Sequence, residues 1–458
     1  MVLSRMDRRA FLKCAAGLAV TGLGAQSCRA RSSFQPLAWA ASKAAVQRAM
    51  EWPADEARVW RVTGRECPAL AGFDRTLQDF MTARKITSAS LAVTRASQLV
   101  YARGYSWDAP DGIGIRPDTL FRIASVSKPV TAAGVFYLVQ QRKLNLSDKL
   151  VDLVKMEPLK GEKCDPRLKA ITVLHLLQHR GGWDRDRSFD PMFRDREIAK
   201  KCRVDYPVGT QHIVRYMAGQ PLDFDPGTRH VYSNFGYCLL GRVIEAVSGV
   251  SYERFMRETV LSRLDIQRMV LGRTVFEKRQ PNEPYYRTSD RRLYPCVVQP
   301  GAPETVPEPY GHWNIENMDA HGGWLASAVD LAKFATAFDS TGRYPLLKPE
   351  FVDQTFAPPS SDAADSYYGR GWMVRPVGAS RSTWHNGSLP GTYSLLVRRH
   401  DGLNWVVLFN QRDDPWSRLS YEPIDGLLHQ AADSVREWPK DDLFDNYGFQ
   451  VPRDRDIP

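Results

Sequence analysis

Hydrophobic and polar positions follow two different periods along this chain. Apolar residues recur every three to four positions over 73–84, which predicts an amphipathic helix. The stretches 90–94 and 99–105 are short, apolar and separated by polar residues, so they predict a pair of strands. Near the other end, the pattern predicts further strands and then a closing helix, at about 371–375, 381–385, 393–398, 403–409 and 424–437.

The middle of the chain has helical periodicity instead. The predicted helices cover 125–141, 172–178, 211–218, 235–247, 251–264 and 327–337. The segment 269–318 is rich in Pro and Arg and has no clear period, so no element is predicted there. Strands at both ends with helices between them predict an α/β (α+β) fold. In this fold one antiparallel sheet is flanked by helices, and an all-helical lobe is inserted at about 130–340.

A candidate nucleophile lies at the start of the first of these middle helices. Ser125-Val126-Ser127-Lys128 is the only Ser-x-x-Lys tetrad in the chain. Residues three apart share a helix face, so the Lys128 amine can reach the Ser125 hydroxyl. If burial keeps that amine neutral, it can take the hydroxyl proton. A surface Ser and Lys on an ordinary helix would show the same spacing, so the spacing alone does not identify a nucleophile.

Two later segments favour the catalytic interpretation. Tyr232-Ser233-Asn234 precedes a buried helical run and could mount a phenol and an amide rigidly, although Asn234 could also be a simple helix cap. His385-Asn386-Gly387-Ser388 precedes two predicted strands that form a hairpin. Three other His-x-Gly triplets occur, and His400 falls at the turn of that hairpin, which explains it without chemistry.

Serine-x-x-lysine, tyrosine-x-asparagine and a basic residue-x-glycine on a strand, in this order, resemble the class C β-lactamase family in its broad sense. That family includes β-lactamases, D-alanyl-D-alanine carboxypeptidases, D-aminopeptidases and serine esterases. The resemblance runs from about Gly72 to about Arg412. It implies a β-lactamase/transpeptidase-like fold and a serine hydrolase that cleaves esters or amides through an acyl-enzyme, as a carboxylesterase or a D-amino-acid peptidase does. True β-lactamase or D-alanyl-D-alanine carboxypeptidase activity is one alternative, and a non-catalytic penicillin- or peptidoglycan-sensing or structural protein is another.

The resemblance also implies a role for each candidate residue. Ser125 would be the nucleophile, and Lys128 and Tyr232 would act together as the base, with the choice between them open. The backbone amides of Ser125 and Ser388, the latter next to Gly387, would bind the developing oxyanion. Asn234 would hold the acyl amide of the substrate.

His385 stands where most β-lactamases of this class carry lysine. An ammonium group there pairs with the carboxylate of a β-lactam, whereas histidine is mostly neutral at pH 7. We therefore expect His385 to contact the substrate and to favour esters over β-lactams. Arg370 and Arg381 are candidates for supplying the missing charge.

Composition and charge are those of a soluble globular protein, with 43% hydrophobic and 25% charged residues. The net charge of +10 is spread along the chain without a basic block, so nucleic acid is not a predicted partner. The predicted partner is a small-molecule or peptide substrate, with fragments of the cell wall as one source. The pattern predicts no oligomeric state.

Cysteine and histidine positions do not predict a disulfide framework, a metal or a cofactor. The seven cysteines are scattered, and five would remain after removal of the leader. His175 and His179 are four apart, which can hold zinc, but no third ligand follows. A helix-capping or core role is predicted for His179, and a structural loop for His321.

The N-terminus predicts an export signal. Arg8 and Arg9 form a twin-arginine signature ahead of a short Gly- and Ala-rich apolar stretch, which is too short to span a membrane. The predicted divisions are a signal and leader (1–40), a linker (41–70), the hydrolase domain (71–440) and a tail (441–458). The location is therefore periplasmic or otherwise extracytoplasmic. Cys28 raises the alternative of a lipid anchor, although the leucine expected three residues earlier is missing.

Replacement of both arginines tests the export signal. Arg8→Lys with Arg9→Lys should leave the protein in the cytoplasm, because the pathway reads the arginine pair itself. Cell fractionation measures the exported share. Arg29→Lys with Arg31→Lys is the matched control and should be exported like the wild type. Unchanged export of the first variant would refute the signal.

Overall fold

One antiparallel sheet organises the fold. The computed structural model describes residues 59–107, 114–299, 305–339, 345–359, 365–412, 421 and 423–448. The strands are β1 (Trp60–Thr63), β2 (Ser88–Arg95), β3 (Gln98–Trp107), β4 (Phe121–Arg122), β5 (Val270–Leu271), β6 (Leu293–Pro295), β7 (Thr305–Pro307), β8 (Trp324–Ala326), β9 (Tyr367–Tyr368), β10 (Met373–Val377), β11 (Ser380–Leu389), β12 (Thr392–Arg398) and β13 (Leu403–Phe409). The large sheet has the order β1-β3-β2-β13-β12-β11-β10-β9. The strands predicted at both ends of the chain are confirmed, and they meet where β2 pairs with β13.

Helices pack on the large sheet and form the middle of the chain. They are α1 (Ala71–Arg84), α2 (Ser127–Gln140), α3 (Leu150–Leu153), α4 (Val173–Leu177), α5 (Asp195–Cys202), α6 (Thr210–Ala218), α7 (Asn234–Ser248), α8 (Tyr252–Phe255), α9 (Ala328–Thr336), α10 (Pro349–Phe356) and α11 (Pro423–Asp433). A π-helical segment, Met256–Leu261, and a 3₁₀ turn, Ser262–Leu264, extend α8. In the part of the chain that the structure describes, no helix combines the length and the apolar character needed to cross a bilayer.

Alternation along the strands buries both faces of the sheet. In β13, Trp405 and Val407 belong to one hydrophobic cluster, and Val406 and Leu408 belong to the other. Successive strand residues point to opposite faces, so each cluster needs its own cover. Helices α1 and α11 cover the first face, and α9 covers the second. A strand buried on both faces reads as a continuous apolar run, which is how 403–409 reads in the sequence.

Residues 127–264 form the helical lobe, and residues 269–318 form the segment that we call the insertion. The prediction of an all-helical lobe at 130–340 is corrected here, because this part of the chain also contributes strands. Strand β8 pairs with both β4 and β5 in a small sheet, and β6 pairs with β7. Strands of two or three residues are too short to produce a period in the sequence.

Two predicted boundaries are also corrected. The predicted linker, 41–70, contains β1, which pairs with β3 at the edge of the large sheet. The predicted tail, 441–458, contains Leu443 and Phe444, which are buried. The Leu443 amide donates a hydrogen bond to the Leu99 carbonyl at 2.8 Å. Both segments therefore belong to the folded domain as far as the structure describes them.

Arg122, three residues before the candidate nucleophile, holds the insertion in place. Its Nη1 donates to the Pro309 carbonyl at 2.7 Å and its Nη2 to the Arg273 carbonyl at 3.1 Å. Its Nε lies 3.6 Å from Glu283 Oε1, and both of these side chains are 0% exposed. The guanidinium also lies 4.3 Å from the ring of Tyr286. One buried cation thus joins several parts of a segment that has few regular elements of its own.

We expect Arg122→Met to destabilise the protein by roughly 3–5 kcal/mol, because it leaves the Glu283 carboxylate buried without its cation. Burial already raises the pKa of Glu283, and Arg122 opposes that rise. Chemical denaturation measures the loss. The control Arg254→Met removes an exposed pair with Glu258 and should cost less than about 1 kcal/mol. A loss of similar size in both variants would contradict the role of Arg122.

Candidate active site

Ser125 lies on a tight turn that is anchored to the large sheet. The 3₁₀ turn Ala124–Val126 leads directly into α2. Ala124 has a φ of 44°, a left-handed conformation that costs free energy for a residue with a side chain. The Ser394 hydroxyl of β12 donates to the Ile123 carbonyl at 2.7 Å and so secures this turn. The strained turn is therefore held by the sheet, in the position that presents Ser125.

Lys128 makes three polar contacts in the interior. Its Nζ lies 3.0 Å from Ser125 Oγ, 2.8 Å from Asn234 Oδ1 and 2.9 Å from the His321 carbonyl oxygen. The last two atoms can only accept hydrogen bonds. A neutral amine has two hydrogens and one lone pair, so it donates to those two oxygens and directs its lone pair at the Ser125 hydroxyl. This is the geometry of a general base next to its nucleophile.

Electrostatics favour that neutral amine. Lys128 is 0% exposed, and its burial lowers its pKa well below the ordinary value. The charge of Arg185 lowers the pKa further, whereas Asp190 raises it. Desolvation is the largest cause, and it disfavours the charged form of any amine.

Tyr232 and Asn234 enter the site together at the start of α7. The Ser233 hydroxyl caps this helix by accepting from the Gly236 amide at 3.2 Å, so Ser233 and not Asn234 is the cap. The ring of Tyr232 lies 4.7 Å from Lys128 Nζ. Burial raises the pKa of Tyr232, although a hydrogen bond with Ser125 opposes this. The phenol is therefore neutral at ordinary pH.

Asp190 sets the orientation of the Asn234 amide, a contact that no motif in the sequence indicates. Asn234 Nδ2 donates to Asp190 Oδ2 at 2.7 Å, across a separation of 44 residues. With Nδ2 committed to the carboxylate, Oδ1 faces Lys128. The Asp190 contact therefore determines which end of the amide the amine meets.

His179 supports Tyr232 from behind, in agreement with the predicted core role. It is 1% exposed and its ring centroid lies 4.3 Å from that of Tyr232. Its Nδ1 accepts from the Ser233 amide at 3.1 Å. Burial lowers the pKa of His179 well below its ordinary value. A neutral ring therefore packs against the phenol.

Gly387 allows β11 to pass directly beside the nucleophile. A Cβ atom at this position would lie 2.3 Å from the Ile123 carbonyl oxygen and 2.9 Å from the Ser125 amide nitrogen. Real Cβ atoms do not approach backbone so closely, so only glycine fits without a shift of the turn. The neighbouring Ser388 lines the cavity above Ser125. The oxyanion roles of the Ser125 and Ser388 amides remain a prediction.

A cavity of about 350 Å³ opens over these residues. Ser125, Tyr232, Asn234 and Ser388 line it, as the sequence predicted for a common site. Much of the remaining wall comes from residues that sequence reasoning missed: Arg185, Phe193, Glu308, His312, Trp313, Met318, His321, Gly322, Leu389, Pro390 and Arg412. Several of them belong to the insertion, where no period in the sequence could have indicated them.

His385 lies behind Tyr232 and not among the described residues of the cavity wall, which revises its predicted substrate contact to a supporting one. It is 3% exposed, with Nε2 3.2 Å from the Tyr368 hydroxyl and Nδ1 2.7 Å from the Asn386 carbonyl oxygen. Burial lowers the pKa of His385 to about 3, so the ring is neutral. In that state Nδ1 donates to the carbonyl and Nε2 accepts from the phenol.

The predicted sources of cavity charge are also corrected. Arg370 donates to the Gln354 carbonyl and Arg381 pairs with Asp353, and neither residue is part of the described cavity wall. Arg185 and Arg412 line the cavity instead. Arg185 lies 5.0 Å from the ring of Tyr232. The positive charge near Ser125 therefore stands on the wall and not at position 385.

Comparisons with known proteins agree with this geometry. A protein-family model described as Beta-lactamase matches residues 73–428. The "Probable fimbrial assembly protein FimD, serogroup H1" of Dichelobacter nodosus is 29% identical over 284 residues, which cover 60% of this chain and 62% of that protein. The match thus spans less than two thirds of that relative. A penicillin-binding protein of Bacillus subtilis (strain 168) is 24% identical over 339 residues, which cover 71% of this chain and 69% of that protein.

A solved structure is similar over most of this chain. The D-amino acid amidase from Ochrobactrum anthropi SV3 superposes with a TM-score of 0.59 at 20% identity, and the match covers 81% of this chain and 100% of that chain. At this identity the similarity shows the fold alone. It bears out the predicted antiparallel sheet flanked by helices.

Lys128→Arg tests whether the buried amine is the base. We expect a loss of roughly 10²–10⁴-fold in ester turnover, because a guanidinium cannot lose its proton at ordinary pH. In the wild type, kcat/KM should fall as the pH drops through the lowered pKa of Lys128, since the neutral form is required. Steady-state kinetics with a p-nitrophenyl ester against pH give both results. Lys143→Arg, at an exposed position, is the control; near-normal turnover of Lys128→Arg would exclude Lys128 as the base.

Proposed function

The chain belongs to the β-lactamase family, and from this premise we propose that it is a serine hydrolase that cleaves esters or amides through an acyl-enzyme. The proposed activity is that of a carboxylesterase or a D-amino-acid peptidase. One observation carries the proposal: the Lys128 amine is buried, this burial lowers its pKa, and it lies 3.0 Å from the Ser125 hydroxyl. A lysine that served only structure would keep its charge at the surface or against a carboxylate.

The proposed reaction starts with attack of Ser125 Oγ on the substrate carbonyl carbon. The hydroxyl proton passes to Lys128 Nζ as the new carbon–oxygen bond forms. The resulting ammonium can donate to Asn234 Oδ1 and the His321 carbonyl, which already lie within hydrogen-bond distance. Two backbone amides, those of Ser125 and Ser388, bind the oxyanion.

Collapse of the tetrahedral intermediate breaks the bond to the leaving group, which takes the proton back from the Lys128–Tyr232 pair. Tyr232 lies on the cavity side of Lys128 and lines the cavity, so its hydroxyl can pass this proton onward. Water then attacks the acyl-enzyme by the same route in reverse order. Hydrolysis releases the acid and restores the Ser125 hydroxyl.

A second candidate function is that of a β-lactamase or D-alanyl-D-alanine carboxypeptidase. Arg185 and Arg412 on the cavity wall favour it, because either guanidinium can pair with a substrate carboxylate. The neutral His385 weighs against it, since that position supplies no charge. An ester needs only the nucleophile, the base and the oxyanion site, so we place ester hydrolysis first.

We also infer that the enzyme works outside the cytoplasm, on a substrate that fragments of the cell wall could supply. The twin-arginine signature supports this inference. That signature lies outside the described residues, so the inference depends on the sequence alone.

Ser125→Ala tests the nucleophile. We expect it to abolish turnover of p-nitrophenyl acetate and covalent labelling by a fluorophosphonate, because no hydroxyl remains to attack. Thermal unfolding should be close to that of the wild type. Ser127→Ala is the matched control, two residues away on the same segment, and should keep the label. Labelling of Ser125→Ala would assign the nucleophile elsewhere, and an unlabelled wild type would favour a non-catalytic protein.

The same preparation separates the two candidate activities. We expect kcat/KM for p-nitrophenyl acetate to exceed that for a chromogenic cephalosporin, because position 385 provides no ammonium for the carboxylate. A D-alanyl amide serves as the peptidase probe. A cephalosporin value well above the ester value would reverse the order of the two functions.

A further inference from the structure

A row of cations begins where the active-site cavity ends. Phe193 lines the cavity, is 42% exposed, and precedes α5 by two residues. Along and just beyond α5, Arg196, Lys200 and Arg203 follow at spacings of four and three. Arg196 and Lys200 share one face of α5, where like charges repel each other. Arg203 follows the last residue of the helix, so the three cations form a charged stripe along α5 and at its C-terminal end.

These cations line a groove of their own. A surface depression of about 570 Å³ is lined by Arg196, Lys200 and Arg203, together with Tyr206 and Asp205. All three cations are exposed, and within the described residues none of them forms an ion pair. Asp205 is the one carboxylate on the wall as the structure describes it. The groove therefore has an excess of positive charge that is open to an anionic ligand.

Arg196 links the groove to the active-site cavity through its charge. His312 belongs to the cavity wall, and burial lowers its pKa, with a further contribution from the charge of Arg196. Arg196 is thus within electrostatic reach of the cavity. Because Arg185 and Arg412 line that cavity, with Glu308 as its carboxylate, cations stand both on the cavity wall and along α5. Cations placed in this way attract and orient an extended anion.

We propose that this groove binds an acidic peptide chain that is part of the substrate and extends from the bond cleaved at Ser125. The proposal rests on the proposed function. A peptide fits because the stripe is narrow, lies in a depression and follows Phe193, which lines the catalytic cavity. A flat lipid surface would instead need cations on a protruding face. The acidic side chains would pair with Arg196, Lys200 and Arg203.

A matched series of substrates tests the proposal. We compare acetyl-capped D-alanyl p-nitrophenyl esters that are extended at the amino end by three Glu or by three Gln residues. For the wild type at low salt, KM for the Glu ester should be about five- to tenfold below that for the Gln ester, since each exposed ion pair contributes a small part of the binding free energy. The difference should shrink as the ionic strength rises, because exposed pairs are screened.

Two triple variants locate the effect. Arg196→Gln, Lys200→Gln and Arg203→Gln together should bring the ratio of the two KM values close to one. Arg75→Gln, Arg257→Gln and Lys440→Gln remove the same charge from exposed positions elsewhere and should keep the wild-type ratio. A ratio that persists in the groove variant would assign the selectivity to other residues and overturn the proposal.

A binding measurement separates this inference from the proposed function. Fluorescence anisotropy of a dye-labelled triglutamyl-D-alanine peptide with the Ser125→Ala protein needs no turnover. If the groove variant binds this peptide about fivefold or more weakly, the groove proposal is supported. This holds even if neither ester is cleaved, because the absence of cleavage would overturn only the proposed function. The groove proposal would be overturned if the wild type cleaved both esters without preference. It would also be overturned if the groove variant lost only the binding of anionic vesicles. Neither result would contradict the proposed hydrolase activity.

Discussion

The buried amine of Lys128 is the constraint on which the rest of the site depends. Removal of an ammonium ion from water costs several kcal/mol, so the group either loses its proton or needs compensating partners. Both occur here, since burial lowers the pKa of Lys128 and three oxygens surround its Nζ. Each oxygen comes from a different part of the chain: the turn before α2, the first residue of α7 and the segment before β8. These parts must keep their relative positions if the amine is to remain satisfied.

The scaffold outside this centre holds those parts. Arg242 of α7 pairs with Asp319 at 2.6 Å, two residues before His321, and thereby ties α7 to the segment that supplies the carbonyl. On the other side, the Ser394 hydroxyl holds the Ile123 carbonyl, which fixes the turn that carries Ser125 to the sheet. The sheet thus positions the proposed nucleophile, Ser125, and the lobe positions the partners of its proposed base, Lys128. Stability of the fold and geometry of the site depend on the same contacts.

The sequence predicted the parts of the site that follow from local geometry. Ser125 and Lys128 could be paired because a spacing of three determines a helix face, and Gly387 because it follows the histidine on a predicted strand. The Asp190 contact to Asn234 joins residues that are 44 apart, and only tertiary packing creates it. The cavity-lining residues of the insertion were not predicted for the same reason, because contacts with Arg122, and not a regular element, position that segment. His385 was found by its place in the motif, but its surroundings depend on which strand face is buried, which the register of the sheet decides.

Charge is distributed in two layers, and this bears on which residue is the base. Burial lowers the pKa values of Lys128 and His385 and raises that of Tyr232, which favours the neutral form of each of these inner side chains. The charged groups, such as Arg185 and Arg412, stand on the cavity wall. A Tyr232 phenolate would need a cation beside it, and neutral forms of Lys128 and His385 would leave that role to Arg185 on the cavity wall, 5.0 Å from the ring. A neutral lysine needs no such partner, so the layering supports the proposed role of Lys128 as the base and of Tyr232 as the group that passes the proton to the leaving group.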